Sequence, residues 1–211
     1  MIKTIIFDMT GIFFENDYTP RLEPELFALF KANGAKSCDY HRVWRRIRSK
    51  FSGITQIKEV RLRYLSELNL SYSVLSRYEK LVERDQKRIK LLDSNTIHYL
   101  KKFKRAGLCM VILTNTMNTK RNRINLLNNL NLSMFFDEIF CSSEIGYSKP
   151  DLRSYKYVLK SLKIRPKDTI FVGHSKDELD GAAKVGIIPI RFTGKFKKLN
   201  LDILKRYKGE L

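Results

Sequence analysis

Five short apolar runs occur along the chain, and segments with helical spacing of apolar residues separate the last four. The runs predict strands at Lys3–Phe7, Leu108–Leu113, Glu138–Cys141, Thr169–Val172 and Ile187–Phe192. Their length and β-branched composition are typical of strands buried on both faces. Because helices and strands alternate after Asp93, the pattern predicts a parallel α/β sheet.

The segment between the first two predicted strands has a different pattern. From Leu22 to Leu92 apolar residues recur at helical spacing: Leu22, Leu26, Leu29 and Phe30, then Val43, Trp44 and Ile47, then Val60, Tyr64, Leu65 and Leu68. This spacing predicts an all-helical domain at 16–92, inserted into a core made of residues 1–15 and 93–211. A final amphipathic helix is predicted for Lys195–Lys208.

The composition allows a buried core and gives the chain a strong positive charge. Of 211 residues 43% are hydrophobic, and 41 Lys and Arg against 22 Asp and Glu give a net charge of +19. Such a charge favours an anionic partner: a phosphorylated metabolite, nucleic acid or an acidic membrane surface. It is also consistent with basic residues scattered over a solvated surface, so the charge alone does not identify a partner.

The cysteines and the apolar runs indicate in which cellular compartment to expect the protein. Cys38, Cys109 and Cys141 are odd in number and lack C-x-x-C spacing, which argues against a disulfide framework or a zinc site. The apolar N-terminal run is short and ends at Asp8, so no signal peptide is predicted. The apolar runs fall far below the roughly 20 residues that a bilayer requires. We therefore expect a cytoplasmic protein.

Four segments carry the candidate chemistry, in the order IIFDMTG, ILTNT, YSKPD and FVGHSKDELDGAAKVG. The carboxyl ends of parallel strands collect ligands at one edge, so Asp8, Thr114, Lys149 and the stretch from His174 to Glu178 are expected to meet there. With these segments the chain resembles the haloacid dehalogenase superfamily, whose members are mostly phosphatases. The resemblance implies a Rossmann-like, doubly wound parallel α/β sheet with an all-helical cap inserted after the first strand.

The same resemblance implies roles for individual residues. Asp8 matches the nucleophile that attacks phosphorus and forms an aspartyl phosphate. Thr114 matches the hydroxyl that hydrogen-bonds a phosphoryl oxygen, with Asn115 beside it as a substrate contact. Lys149 matches the cation that offsets the negative charge gathered at Asp8. The expected reaction is phosphate release from a small, anionic phosphorylated substrate.

Thr10 departs from the pattern of the family. It stands two residues after Asp8, where typical members have a second aspartate that protonates the leaving oxygen and later deprotonates water. Threonine does no acid/base work near neutral pH, and losing a general acid costs on the order of 10²- to 10⁴-fold. Hydrolysis is then expected to be slow unless the leaving group is good or another group substitutes.

His174 is the second departure, because it stands where the family usually offers an aspartate to Mg²⁺. The metal ligands that the resemblance implies are Asp8, the carbonyl of Thr10, His174 and, through water, Glu178. Magnesium prefers oxygen ligands, whereas an imidazole suits Mn²⁺, Co²⁺, Ni²⁺ or Zn²⁺. His174 could therefore shift the choice of metal, act as an acid/base, mark a site without metal, or bond the backbone of a turn.

The helical insertion contributes a basic segment around Trp44. Arg42, Arg45, Arg46, Arg48 and Lys50 surround Trp44 and Phe51. Arg45 is predicted to contact an anionic or aromatic substrate, and the alternative is a solvated helix face.

Three functions remain open from the sequence. The first is a metal-dependent phosphatase. The second is a degenerate binding or regulatory module that uses its basic surface for nucleic acid. The third is a metal-independent dehalogenase, although the Tyr two residues after the nucleophile and the Asn of the fourth motif, both typical of that branch, do not occur here.

Overall fold

The computed structural model describes residues 2–35, 40–48 and 55–207, and its centre is a five-stranded parallel sheet. The strands are β1 (Thr4–Phe7), β2 (Cys109–Thr114), β3 (Glu138–Cys141), β4 (Thr169–Gly173) and β5 (Ile188–Arg191), in the order β3-β2-β1-β4-β5. The predicted parallel α/β sheet is confirmed, with strand bounds shifted by one residue at most. The first strand lies at the centre, with the direction of winding reversing beside it.

The helices of the described residues surround the sheet and form the insertion. They are α1 (Leu22–Ala32), α2 (Tyr40–Arg48), α3 (Ile57–Glu67), α4 (Val74–Gln86), α5 (Thr96–Arg105), α6 (Lys120–Asn129), α7 (Ser142–Ile145), α8 (Leu152–Leu162), α9 (Lys176–Lys184) and α10 (Phe196–Tyr207). The predicted C-terminal helix is confirmed as α10. Short 3₁₀ turns occur at Ser133–Phe135 and Pro166–Asp168.

Both faces of the sheet are covered, because alternate side chains of a strand point to opposite sides. On β1, Ile5 and Phe7 belong to one apolar cluster, which includes residues of α5, α6 and α10. Ile6 belongs to another cluster, which includes residues of α8 and α9. The doubly wound arrangement expected from the resemblance is therefore present.

Helices α1 to α4 form a hydrophobic cluster of their own, which includes Leu26, Phe30, Val60 and Tyr64. This confirms the helical character predicted between Leu22 and Leu92. The described residues do not include Lys50 and Phe51 of the predicted basic segment, nor Cys38. Within the described part of the chain, no helix is long and apolar enough to cross a membrane.

Backbone hydrogen bonds connect the insertion to the core close to the carboxyl edge of the sheet. The amide of Ile57, at the start of α3, donates to the carbonyl of Met117 at 2.7 Å, and Leu92 donates to Phe13 at 2.9 Å. The side chain of Gln56 donates to the carbonyl of Ser143 at 3.2 Å. The bonds of Gln56 and Ile57 hold the start of α3 beside α7 and the loop that follows β2.

Candidate active site

The carboxyl edge of the sheet gathers the predicted catalytic residues. The register pairs Phe7 with Ile112 and with Val172, so β1, β2 and β4 end at nearly the same level. Asp8 continues this pairing, since its amide donates to the carbonyl of Val172 at 2.9 Å. Thr114 ends β2 and is buried, and His174 follows β4 directly.

Lys149 joins the two carboxylates of the site. Its Nζ lies 2.6 Å from Oδ1 of Asp8 and 3.0 Å from Oε2 of Glu178. Asp8 and Lys149 are almost fully buried, with 6% and 3% of their surfaces exposed. Removing a buried charged partner is costly, because it leaves the other charge uncompensated. The predicted meeting of Asp8 and Lys149 is thus observed.

Asn115 fixes the backbone of Lys149. Its Nδ2 donates to the carbonyl of Lys149, and its Oδ1 accepts from the amide of Lys149, both at 2.8 Å. Nδ2 also lies 3.3 Å from Oε1 of Glu178. Asn115 therefore positions Lys149, a role that the sequence did not reveal. Its predicted contact with substrate stays a prediction.

The ionisation of Asp8 suits a nucleophile. Burial alone would raise the pKa of this carboxyl, but the charge of Lys149 and hydrogen bonds from His174 and Lys149 outweigh it and hold the pKa below its ordinary value. Glu178 behaves in the opposite way, because burial raises its pKa despite the nearby Lys149. Asp8 is therefore ionised at neutral pH.

His174 contacts the other oxygen of Asp8 and rests against Gly11. Its Nδ1 lies 3.4 Å from Oδ2 of Asp8, and this hydrogen bond raises the pKa of the imidazole, although burial opposes the shift. Gly11 has φ of +80°, and a Cβ built there would lie 2.7 Å from Nδ1 of His174. A side chain at this position would strain the turn and would displace the ring of His174.

Thr10 contacts an ion pair, between Asp17 and Arg123, that the sequence did not predict. Its hydroxyl donates to Oδ1 of Asp17 at 3.4 Å, and the same oxygen accepts from Nη1 of Arg123 at 2.8 Å. Arg123 is 1% exposed. Asp17 and Arg123 are 106 residues apart, and no spacing signal in the sequence pairs them.

A cleft of about 360 Å³ opens between the sheet edge and the helical insertion. Residues of both parts line it, among them Thr10, Asp17, Tyr18, Trp44, Asn115 and Asn118. Arg45 is exposed on α2 and is not among the described residues that line this cleft. Trp44, its neighbour in the sequence, does line the cleft, while Ile47 is buried in the insertion.

The donors at the site, as placed, do not fit Mg²⁺. The oxygens of Asp8 face Lys149 and His174, and those of Glu178 face Lys149 and Asn115. No group of three His, Cys, Asp or Glu side chains is gathered to hold a metal ion in the part of the chain that the structure describes. Magnesium requires near-octahedral coordination by oxygen. The predicted metal ligands therefore stay a prediction.

The comparisons with known proteins agree with this fold. The sequence profile of the haloacid dehalogenase-like hydrolases matches residues 2–186. A 2-haloacid dehalogenase from Pseudomonas syringae superposes with a TM-score of 0.71 at 16% identity, covering 91% of this chain and 86% of that one. At this identity, the likeness shows the fold alone.

Two curated relatives are phosphatases. A glyceraldehyde 3-phosphate phosphatase of Methanocaldococcus jannaschii is 31% identical over 115 residues, which are 54% of this chain and 50% of that protein. Phosphoglycolate phosphatase 1 of Pseudomonas aeruginosa is 32% identical over 88 residues, which are 42% of this chain and 32% of that protein. The match thus spans about half or less of the length of these relatives.

The fold and the sequence profile together define a hydrolase with a Rossmann-like core and a helical insertion after the first strand. The chain belongs to the haloacid dehalogenase-like hydrolases.

Proposed function

We propose that this protein is a phosphatase that transfers phosphate from a small phosphorylated substrate to Asp8 and then to water. The observation that carries the proposal is the ionised carboxylate of Asp8, held 2.6 Å from the ammonium of Lys149 at the carboxyl edge of the sheet. Matched relatives that are phosphatases for small phosphorylated metabolites support it.

The first step is attack by a carboxylate oxygen of Asp8 on phosphorus. A new oxygen–phosphorus bond forms, the bond to the leaving group breaks, and its electron pair departs with the leaving oxygen. Lys149 offsets the charge that gathers on Asp8 and the phosphoryl oxygens, and the hydroxyl of Thr114 donates to one of them. In the second step water attacks phosphorus, which releases phosphate and restores Asp8.

Leaving groups that need no proton should react fastest. Thr10 supplies no proton near neutral pH, so an alkoxide must take its proton from solvent, whereas an acyl phosphate leaves as a stable carboxylate. We therefore expect acyl phosphates to react faster than alkyl phosphate esters.

The helical segment 16–92 is proposed to act as a cap on the core formed by 1–15 and 93–211. The cleft that both parts line supports this role, because a cap that closes over it excludes water from the reacting groups. The predicted contact of Arg45 with an anionic substrate belongs to the same proposal. A cytoplasmic location is also part of the proposal, and the odd number of cysteines supports it.

Dependence on a divalent metal is a separate part of the proposal. Mg²⁺ is the ion expected from the resemblance, and Mn²⁺, Co²⁺ or Ni²⁺ is expected if His174 is a ligand. If an ion binds, Asp8, the carbonyl of Thr10, His174 and Glu178 would hold it, and it would offset the negative charge of the phosphate.

The test is phosphate release from phosphate esters and acyl phosphates, with each metal or with chelator, by the wild type and by Asp8→Asn. We expect release by the wild type, with a loss of at least about 10³-fold in the variant, because an amide is a poor nucleophile. A folded wild-type protein that releases no phosphate from any of these compounds would overturn the proposal. Halide release from 2-haloacids would instead indicate a dehalogenase.

A further inference from the structure

The helical insertion contains a partly open cavity of about 180 Å³, lined by residues of α1, α2, α3, α4 and the segment before α1. Six aromatic residues contribute to its walls: Tyr18, Phe27, Tyr40, Trp44, Tyr64 and Tyr78. Aliphatic side chains of α1 and α4 complete much of the lining, including Leu26 and Val82. An empty cavity of about 150 Å³ with apolar walls is large enough for benzene. This cavity is therefore large enough for one six-membered ring.

Several polar groups at the cavity wall have partners within the protein. Nε2 of His41 lies 2.5 Å from Oε1 of Glu23, and both residues line the cavity. The hydroxyl of Tyr64 donates to the carbonyl of Tyr40 at 3.0 Å. The amide of Thr19 donates to Oδ2 of the buried Asp85 at 2.7 Å, and its hydroxyl donates to Oδ1. Because these polar groups are already paired, a ligand does not have to replace their hydrogen bonds. An apolar group is therefore suited to the cavity.

The cavity lies next to the catalytic cleft, because two residues line both spaces. Tyr18 and Trp44 line both spaces, and the far end of the cleft is lined by Thr10 and Asn115, next to Asp8 and Lys149. Asp85 fixes Thr19 and thereby the neighbouring Tyr18, while the ring of Trp44 packs at 5.1 Å from that of Tyr64. The wall of the cleft includes the polar side chains of Asp17, Asn115 and Asn118.

We infer that the cavity is a substrate pocket for the apolar end of a phosphate monoester whose alcohol part carries a terminal ring. The phosphate would lie at Asp8, the middle of the molecule would follow the polar cleft, and the ring would pass between Tyr18 and Trp44 into the cavity. This inference rests on the proposed function for the position of the phosphate. A substrate with a terminal ring would fill the cavity, whereas a short polar phosphate would leave it empty.

The kinetic test compares a series of ω-phenylalkyl phosphates of increasing chain length with n-alkyl phosphates of the same spacer length and with glycerol 3-phosphate. Burying one ring in an apolar cavity should lower KM by roughly 10- to 100-fold at the spacer length that reaches it. The value of kcat should change little, because the ring is remote from phosphorus. Equal KM values across the ring series and the alkyl series would overturn the inference.

Val82→Phe is the matched variant, because Val82 lies on α4 and lines the cavity. The added ring should fill the space and, in the folded variant, abolish the preference for phenylalkyl phosphates over n-alkyl phosphates of the same spacer length. Val74→Phe is the control, since Val74 is buried on the same helix but is not among the residues that line the cavity. It should lower the melting temperature by overpacking and keep the ring preference in the folded protein.

Trp44 provides a readout that does not require catalysis, because it is the single tryptophan of the chain. Phenylalkanols, which carry no phosphate, should change its fluorescence in the wild type and not in Val82→Phe. A fluorescence change without phosphate release would support the pocket and contradict the phosphatase. Phosphate release with no ring preference and no fluorescence change would contradict the pocket and leave the phosphatase standing.

Discussion

The ammonium of Lys149 lies 2.6 Å from Oδ1 of Asp8, and both side chains are almost fully buried. The pair keeps Asp8 ionised where burial alone would favour its neutral form. Asn115 holds the backbone of Lys149 in place from the end of β2. Asp8, which is the proposed nucleophile, its counter-charge Lys149 and Asn115, which positions Lys149, thus belong to one small network.

Replacing Lys149 by methionine should damage both activity and stability. The pKa of Asp8 should rise, because the positive charge that opposes the effect of burial is lost. Phosphate release should fall by at least about 10²-fold. The free energy of unfolding should fall by about 3 to 5 kcal/mol, because removing Lys149 leaves buried carboxylates unpaired. Activity assays and urea unfolding measure the two effects.

Lys104→Met is the control for that substitution. Lys104 pairs with Asp137 at 2.5 Å on a partly exposed surface away from the site, so its loss should cost less than about 1 kcal/mol and leave activity unchanged. Equal effects of the two substitutions would contradict the importance of burial at Lys149.

Gly11→Ala should disturb His174 as well as the turn. Both Gly11 and Gly34 have positive φ, of +80° and +88°, so alanine at either should cost about 1 to 2 kcal/mol in backbone strain. A Cβ at Gly11 also collides with the imidazole of His174, whereas a Cβ at Gly34 meets nothing within 4 Å. Phosphate release should therefore fall in Gly11→Ala and not in Gly34→Ala, and equal activity in both variants would count against the His174 contact.

Thr10→Asp should restore a general acid. Rates with alkyl phosphate esters should rise by roughly 10-fold or more, while rates with acyl phosphates, which need no proton, should change little. Thr10→Asn is the matched control, because it has similar size and no acid. A rise in Thr10→Asn as well, or equal gains on both substrate types, would show that acid catalysis is not what Thr10 lacks.

His174→Asp should strengthen the binding of Mg²⁺, since it replaces a nitrogen with an oxygen donor beside Asp8. We expect at least about tenfold tighter binding, read from the increase of the melting temperature with Mg²⁺ concentration, which needs no substrate. His174→Asn, which is similar in size and carries no charge, should give a smaller gain. Identical Mg²⁺ titrations of wild type and His174→Asp would contradict this assignment of the ligand position.

Asp93 predicts a pH-dependent part of stability. Its carboxylate accepts from the amide of Asn95 at 2.9 Å and from that of Phe196, the first residue of α10, at 2.8 Å. Burial opposes ionisation, but these hydrogen bonds outweigh it and lower the pKa of Asp93 below 3.8. Its contribution is therefore present above the unfolded pKa and lost as pH falls through the lower, folded pKa.

Asp93→Asn should lower the free energy of unfolding at pH 7 by about 2 kcal/mol, the scale of hydrogen bonds to a charged acceptor. The difference between wild type and variant should shrink as pH falls towards about 3. Urea unfolding across this range measures it. A difference that does not change with pH would mean that the charge of Asp93 contributes nothing.

The sequence predicts the sheet and its edge because those features are local. A run such as Ile5–Phe7 followed by Asp8 specifies a buried strand that ends in a carboxylate, and parallel strands align their carboxyl ends whatever lies between them. The closeness of Asp8 and Lys149, 141 residues apart, follows from that rule together with the motif order.

The remaining features depend on packing between distant segments. Nothing in the spacing pairs Asp17 with Arg123, because their contact arises from how the entry to the insertion packs on α6. The cavity behind Tyr18 and Trp44 depends on the angles between four helices, which apolar periodicity does not specify. The space beside Trp44 could not be foreseen from the sequence.

Trapping the covalent intermediate tests the central claim most directly. The protein would be mixed with a phosphorylated substrate, quenched, and treated with borohydride, which reduces an aspartyl phosphate, and the modified residue would be located by peptide mass spectrometry. The account predicts reduction of residue 8 to homoserine in the wild type, with no such product in Asp8→Asn or without substrate. Phosphate turnover by the wild type with residue 8 unmodified, under conditions where reduction of a known acyl phosphate succeeds, would contradict it.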